Sequence, residues 1–349
     1  MSDELTLTIN NKIITGWDQL RVTRSIEKLP SDFDLSLMDY YPGSDEQQLV
    51  TPGDPCVVKI GADVVLTGYI DRWMPKIASS RHEVQTSGRG QCEDLVDCSA
   101  IWPNSVISNV TALQLAQRLA ATYGITVSSD VTGMTTVPQF TLNWGESSQE
   151  IIDRVCRWAG LLYYDLPDGS LYLTRVGARQ AASGVAQGIN IQEAEFESFM
   201  DERFSHYTGV SLSVNSATQL PPNSGYSSMI LATATDPEAA TMRTRNHIVI
   251  VESTMNVPAK AQDCLNWEMN RRYGRSKKLQ VTVDSWRDSA NQLWAPNTLI
   301  PITIPVFGLQ NALWLLSEVT FLKNDQGTTA HMVLMPPESF IVKPYQSYQ

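Results

Sequence analysis

No apolar run in this 349-residue sequence approaches the roughly 18 to 20 residues that span a bilayer; "NALWLL" and "HIVIV" are among the longest. The expectation is a chain without membrane insertion. Basic residues are outnumbered: 26 Lys and Arg stand against 37 Asp and Glu, a formal net charge of −11. Most of such a surface repels a phosphate backbone, which disfavours tight nucleic-acid binding. Cysteines are few, odd in number and scattered (Cys56, Cys92, Cys98, Cys156, Cys264), never spaced C-x-x-C. That argues against both a disulfide framework and a zinc site, and reduced, mostly buried thiols are expected. Histidine is rarer still. His82, His206, His247 and His331 fall far apart, with no metal-ligand spacing between any two. Walker A, H-E-x-x-H, EF-hand and G-x-S-x-G patterns are missing. The start, "MSDELTLTINNK", lacks the basic and apolar regions of a secretory signal, so the chain is expected to remain in the cytoplasm that makes it.

What is present is an ordinary globular composition, 42% hydrophobic and 18% charged, long enough for two or three domains. The first hundred residues alternate with period two in "LTLTIN", "FDLSLMD", "PCVVKIG", "DVVLTGYID" and "HEVQTSG", punctuated by "YPGSD" and "TPGD". Short strands at turn-marked spacing predict a small barrel or sandwich over 1–98. After Trp102 and Pro103 the period changes. "TALQLAQRLAATYG" reads as a helix ending at Gly124, and "SSQEIIDRVCRWAG" as one opening on a capping box, Ser147 with Glu150, and stopping at Gly160. Each helix runs into a strand, "ITVSS" or "LLYYD", and "PDG" at 167–169 turns the latter into "SLYLTRV". Residues 99–178 are therefore expected to form a small α+β domain. "GARQAASGVAQGIN", residues 177–190, reads as a linker. The remainder, 179–349, reads as a second β-domain with an inserted helical segment near 237–276, in which Pro258 suits a first helical turn and Gly274 a C-cap.

The two β-rich ends resemble each other. "FDLSLMDYYPGSDEQQLVTPGDPCVVKIGADVVLTGYIDRW" aligns with "LQVTVDSWRDSANQLWAPNTLIPITIPVFGLQNALWLLSEVTF" to within a few residues, Asp71 falling beside Glu318. The expectation is one β-domain present twice.

Few residues invite a chemical reading. "GES" at 145–147 precedes an amphipathic helix, so an N-cap is favoured over a nucleophile. "GRG" at 88–90 lacks the third glycine of a dinucleotide loop. Asp54, Asp63 and Asp71 are expected at turns and strand ends, where Asp serves the backbone, and nothing selects an acid pair for glycoside hydrolysis. In "GYID", Gly68 is expected at a bulge or close backbone approach, Tyr69 and Ile70 on opposite faces, and Asp71 as a turn cap. Two charge clusters stand out: acidic Glu193, Glu195, Glu197, Asp201 and Glu202, and basic Arg271, Arg272, Arg275, Lys277 and Lys278. They read either as solvated faces or as docking surfaces between identical subunits. On the second reading, reversing Arg271 and Arg272 weakens assembly and spares the fold.

Together "GWDQLRVTRSIEKLPSDFDLSLMD", "TPGDPCVVKIGADVVLTGYID", "DLVDCSA", "LAATYGI", "GES" before "IIDRVCRWAGLLYYDLPDGSLYLTR", "LWAPNTL" and "LLSEVTFLKNDQGTTAHMVLMPPESF" resemble the baseplate hub proteins of Mu-like contractile-tailed phages, related to the phage late control protein D family. The resemblance spans nearly the whole chain in order. It implies an α+β, mostly β protein with two tail-tube-like β-barrels, a structural role without enzymatic activity, and no cofactor. It further implies a homotrimeric ring that adapts a hexameric tail tube, or its tube-initiator protein, to a trimeric spike beside other baseplate proteins. DNA would pass the lumen without specific binding, and the protein would sit in the virion after assembly in the host cytoplasm. The alternatives are a type VI-like secretion spike hub component and a tail-tip cell-wall hydrolase.

Overall fold

A computed structural model describes residues 3–38, 50–78, 81–210, 230–251, 258–325 and 327–341. The expected turn at "YPGSD" and residues 211–229 lie outside them. The chain is mostly β.

The N-terminal strands are β1 (Leu5–Ile9), β2 (Lys12–Ile14), β3 (Gln19–Ser25), β4 (Asp32–Met38), β5 (Pro55–Ile60), β6 (Asp63–Ala78) and β7 (Arg81–Gly90). Their alternation is the cause of their burial: Leu5, Leu7 and Ile9 of β1 are all but inaccessible while Thr6 and Thr8 are half exposed. A middle unit follows with β8 (Val106–Val110), β9 (Val127–Ser129), β10 (Val137–Thr141), β11 (Leu162–Asp165) and β12 (Leu171–Thr174), and the helices Ala112–Ala121 and Ser148–Ala159. Both helices open on capping boxes, Thr111 with Gln114 and Ser147 with Glu150. Both close in Schellman turns at left-handed glycines: the Ile125 N–H reaches Ala120 O around Gly124, and the Leu161 N–H reaches Cys156 O around Gly160. Cys92 and Leu95 already belong to this unit's core, so it begins ahead of residue 99.

The C-terminal strands are β13 (Val185–Ala186), β14 (Ile191–Ser198), β15 (His206–Val210), β16 (Ile230–Thr235), β17 (Asn246–Ile250), β18 (Lys277–Val283), β19 (Leu299–Ile304), β20 (Leu309–Asn324) and β21 (Gly327–Met335). Strands β16-β15-β17 form a separate sheet under the helix Pro258–Arg275, with Tyr207, Ala261, Leu265 and Met269 as its core. The insertion between β14 and β18 is thus an α/β unit that starts near residue 203, not a helical segment from 237.

The two ends do repeat one unit. The N-terminal order is β3-β4-β7-β6-β5 and the C-terminal order β14-β18-β21-β20-β19. In each, the 16-residue strand (β6, β20) carries one bulge against its hairpin partner, at Asp71 and at Ser317. Asp71 therefore corresponds to Ser317, and Arg72, not Asp71, corresponds to Glu318. The two β-domains are joined and not separate. β20 pairs antiparallel with β3, Glu318 opposite Ser25 through Lys323 opposite Leu20, so both repeats share one sheet of 13 strands and one core. Among the described residues no strand pairing closes either repeat into a barrel.

Two glycine expectations also change. Gly274 does not end its helix, which runs on to Arg275. A Cβ there would lie 1.7 Å from Ser339 Oγ, so the residue is small because the C-terminal turn packs on it. Residues 177–190 are not a free linker: β13 runs parallel to β19, and a Cβ on Gly184 would meet Pro301 O at 2.1 Å.

Candidate assembly surfaces

"GYID" lies within β6, not at a strand end. Gly68 faces Gly90, and Ile70 faces Gly88. A Cβ on Gly68 would sit 1.9 Å from Arg89 O, and one on Gly88 2.1 Å from Tyr69 O. Of the "GRG" glycines, Gly88 therefore admits a neighbouring backbone, while a Cβ on Gly90 would meet Asp165 Oδ2 at 2.5 Å. Asp71, at the bulge, caps no turn; its carboxylate receives Arg89 Nε at 2.7 Å and Nη2 at 3.1 Å. Asp54, by contrast, does serve a turn, accepting from the Thr51 N–H, and Asp63 at the start of β6 receives Arg287 Nη1 at 2.7 Å.

Arg89 also donates to Asp97 at 2.7 and 3.1 Å and has Glu93 Oε2 at 3.3 Å. One guanidinium thus holds three carboxylates and ties β7 to the short helix Glu93–Asp97. Hydrogen bonding from Arg89 keeps Asp97 below the usual carboxylate range. Glu93 goes the other way, pushed up to about 7 by burial and by Asp71, against the pull of Arg89. A carboxyl raised in the folded state weakens stability as pH climbs from about 4.5 through 7. Glu93→Gln should therefore raise the unfolding free energy at pH 8, by on the order of 1 kcal/mol at most and with a higher urea midpoint, and leave both unchanged at pH 4. An unchanged or lower midpoint at pH 8 would refute this account.

The basic cluster is largely consumed inside the chain. Arg271 and Arg275 both donate to Glu27, and Arg271 is almost fully buried. Arg272 binds Glu268 at 2.7 Å and Glu202 O at 2.9 Å, and Lys277 binds Glu238 at 3.1 Å. Lys278 lies across the sheet from Glu197. Reversing Arg271 and Arg272 would consequently set a buried like charge against Glu27 and disturb the fold, so it does not isolate docking. A cavity of about 300 Å³ beside these residues is lined by Glu27, Asp153, Arg157, Glu268 and Arg271, charges that already pair among themselves.

The acidic cluster is different. Glu193, Glu195 and Glu197 occupy the exposed face of β14, an outer strand of the sheet. Asp201 and Glu202 follow on an exposed turn, held by Arg245 and Arg272 through their backbone carbonyls. Among the described residues a second open edge is the far half of β6, where Met74 is 37% and Ile77 77% exposed.

Among the described residues nothing else gathers into a reactive constellation. Ser147 Oγ accepts the Glu150 N–H and Glu150 accepts the Ser147 N–H, which occupies both as helix caps. His247 stacks on Phe204 with centroids 4.4 Å apart, and His331 meets Thr282. All five cysteines are free, and burial pushes the Cys56 thiol up to about 12. Among the described residues no His, Cys, Asp and Glu group has metal-ligand geometry. One buried site has no local signature: Arg203 and Asp236 form an ion pair with Nε–Oδ2 at 2.6 Å, linking residues 33 apart.

Three family models match the chain: "Mu phage baseplate assembly protein GpP-like, N-terminal" over residues 4–90, "Baseplate hub protein gp44-like, second domain" over 92–175 and "Mu phage baseplate assembly protein GpP, fourth domain" over 257–343. The baseplate hub protein gp44 of Escherichia phage Mu is 31% identical over 346 residues, 98% of this chain and 90% of that protein. The 43 kDa tail protein of prophage MuSo2 from Shewanella oneidensis has 29% identity and a TM-score of 0.85, over 97% of this chain and 99% of that one. A tail protein of Neisseria meningitidis MC58 shares the fold at 20% identity with a TM-score of 0.82, again over 97% and 99%.

Proposed function

Since the chain belongs to the family of Mu-type baseplate hub proteins, we propose that three copies form the central ring of a contractile-tail baseplate and adapt a sixfold tail tube to a threefold spike. The protein is structural and not an enzyme, as its family is. The observation that carries the finer reading is the duplicated five-strand unit, with the same strand order and the same bulge in both copies. Two equivalent units per chain and three chains give six similar positions, and a closed ring satisfies the symmetry that oligomers favour. One end of such a ring can meet a hexamer through six similar units while the rest keeps threefold order for the spike. The net charge of −11 supports a lumen that lets DNA through without holding it.

The test is the mass of the purified protein. Mass photometry should give a species three times the 38.8 kDa of the chain, and negative-stain microscopy should give rings. A monomer at micromolar concentration, with no ring alone or beside the spike protein, overturns the trimer.

A further inference from the structure

On one side of β20, β19 covers Leu309–Leu315 and β3 covers Glu318–Lys323. The filler β3 is the outer strand of the other repeat. β6 is built alike: β5 covers Asp63–Tyr69, the bulge follows at Asp71, and Arg72–Ala78 pairs with β7 alone. Likewise, the outer strand of the C-terminal repeat, β14, pairs only with β18. One junction between repeats is therefore made within the chain. The reciprocal junction is open at both members, among the described residues.

We propose that β14 of one subunit adds antiparallel to the Arg72–Ile77 edge of β6 in the next, reproducing between chains the β3–β20 junction. This rests on the ring reading above and supplies its interface. The register follows from the repeat. Matching the bulges, and then β7 with β21 and β4 with β18, places Pro75 on Phe321 and Phe196 on Val22. Phe321 faces Val22 within the chain, so Pro75 faces the neighbour's Phe196, with Ile77 opposite Ala194 and Lys76 opposite Glu195.

The chemistry agrees on both faces. Trp73, Ala194 and Phe196 pack on the core side of their own chains, and the pairing continues that apolar layer over the exposed Ile77. On the other face, Glu193 and Glu195 lie opposite Thr282 and Gln280 in β18, with no base across from them. Lys76, exposed on β6, supplies positive charge directly opposite Glu195 and diagonal to Glu193 in this register, and Arg72 falls diagonal to Glu197. Pro75 has no N–H and leaves an incoming strand one donor short, which with Lys76 deters indiscriminate edge pairing and favours an acidic partner.

The pairing can be trapped. The Ile26 N–H to Ser317 O bond makes Glu318–Ser25 a non-hydrogen-bonded pair. Leu322–Arg21 has the same phase, and so does its equivalent, Lys76–Glu195. Cβ atoms in such pairs lie at disulfide distance. Oxidised Lys76→Cys/Glu195→Cys protein should run as dimer and trimer on non-reducing gels. The single variants, which also control for native thiols, and the out-of-register Lys76→Cys/Ser198→Cys should not. Lys76→Glu should weaken assembly about tenfold, and adding Glu195→Lys should restore it. A trimer in which the matched pair links no better than the mismatched one overturns this interface and leaves the ring standing. A monomer under all conditions overturns both.

Discussion

Arg203→Met is expected to lower the unfolding free energy of the 203–275 unit by about 3–5 kcal/mol. Arg203 is 2% exposed and Asp236 fully buried. The guanidinium grips the carboxylate in two-pronged fashion, at 2.6 and 2.9 Å, and reaches Glu238 at 2.9 Å. Asp236 Oδ1 also accepts the backbone N–H groups of Glu238 and Ala239. Methionine fills much of the space but strands a carboxylate away from water. Burial tends to raise the pKa of Glu238, yet its hydrogen bonds from Arg203 and Lys277 hold it below the usual range, and that support also weakens. Arg203→Met/Asp236→Leu should recover much of the loss, because two apolar groups of similar size leave no unpaired charge. Urea titration followed by hydrogen exchange on β15 and β17 measures both variants. A loss under about 1 kcal/mol for the single substitution would mean that the pair contributes little.

Gly68→Ala should be as damaging for a different reason. The methyl group would lie 1.9 Å from a backbone oxygen of β7, which cannot rotate away as a side chain can. Relief requires parting β6 from β7. A loss of about 3 kcal/mol or more is expected, and Gly88→Ala should match it. Gly16→Ala is the control: Gly16 has a positive φ of 81° but nothing within 4 Å. Conformational strain alone should cost it about 1 kcal/mol. Equal losses at Gly16 and Gly68, read from thermal or urea midpoints, would refute the steric account.

Features written in contiguous residues were legible beforehand. Thr111 to Gly124 and Ser147 to Gly160 each carry start, stripe and stop within one short span, and both helices appear there. The duplication was legible because each copy repeats its own alternation and turns. What escaped was non-local. The β3–β20 junction joins residues almost 300 positions apart, and neither strand's alternation names its partner. Gly274 read as a helix end because a glycine made small by Ser339 looks the same in sequence as one that stops a helix. Asp71 read as a turn cap because Asp commonly serves the backbone at turns, whereas β6 runs on past it through Pro75, which an outer edge tolerates. The basic cluster looked available because its partner Glu27 lies some 245 residues earlier.

The β3–β20 junction also sets a timetable. During synthesis β3 leaves the ribosome with its first hairpin partner, yet its other neighbour emerges only when residues 318–323 have been made. At about 5–20 residues per second that interval is roughly 15–60 s. For that time a naked strand edge is open to the wrong partner. Chaperone protection should matter most to this protein before its last strands are translated, and a chain truncated before β20 should aggregate rather than persist as a folded N-terminal half.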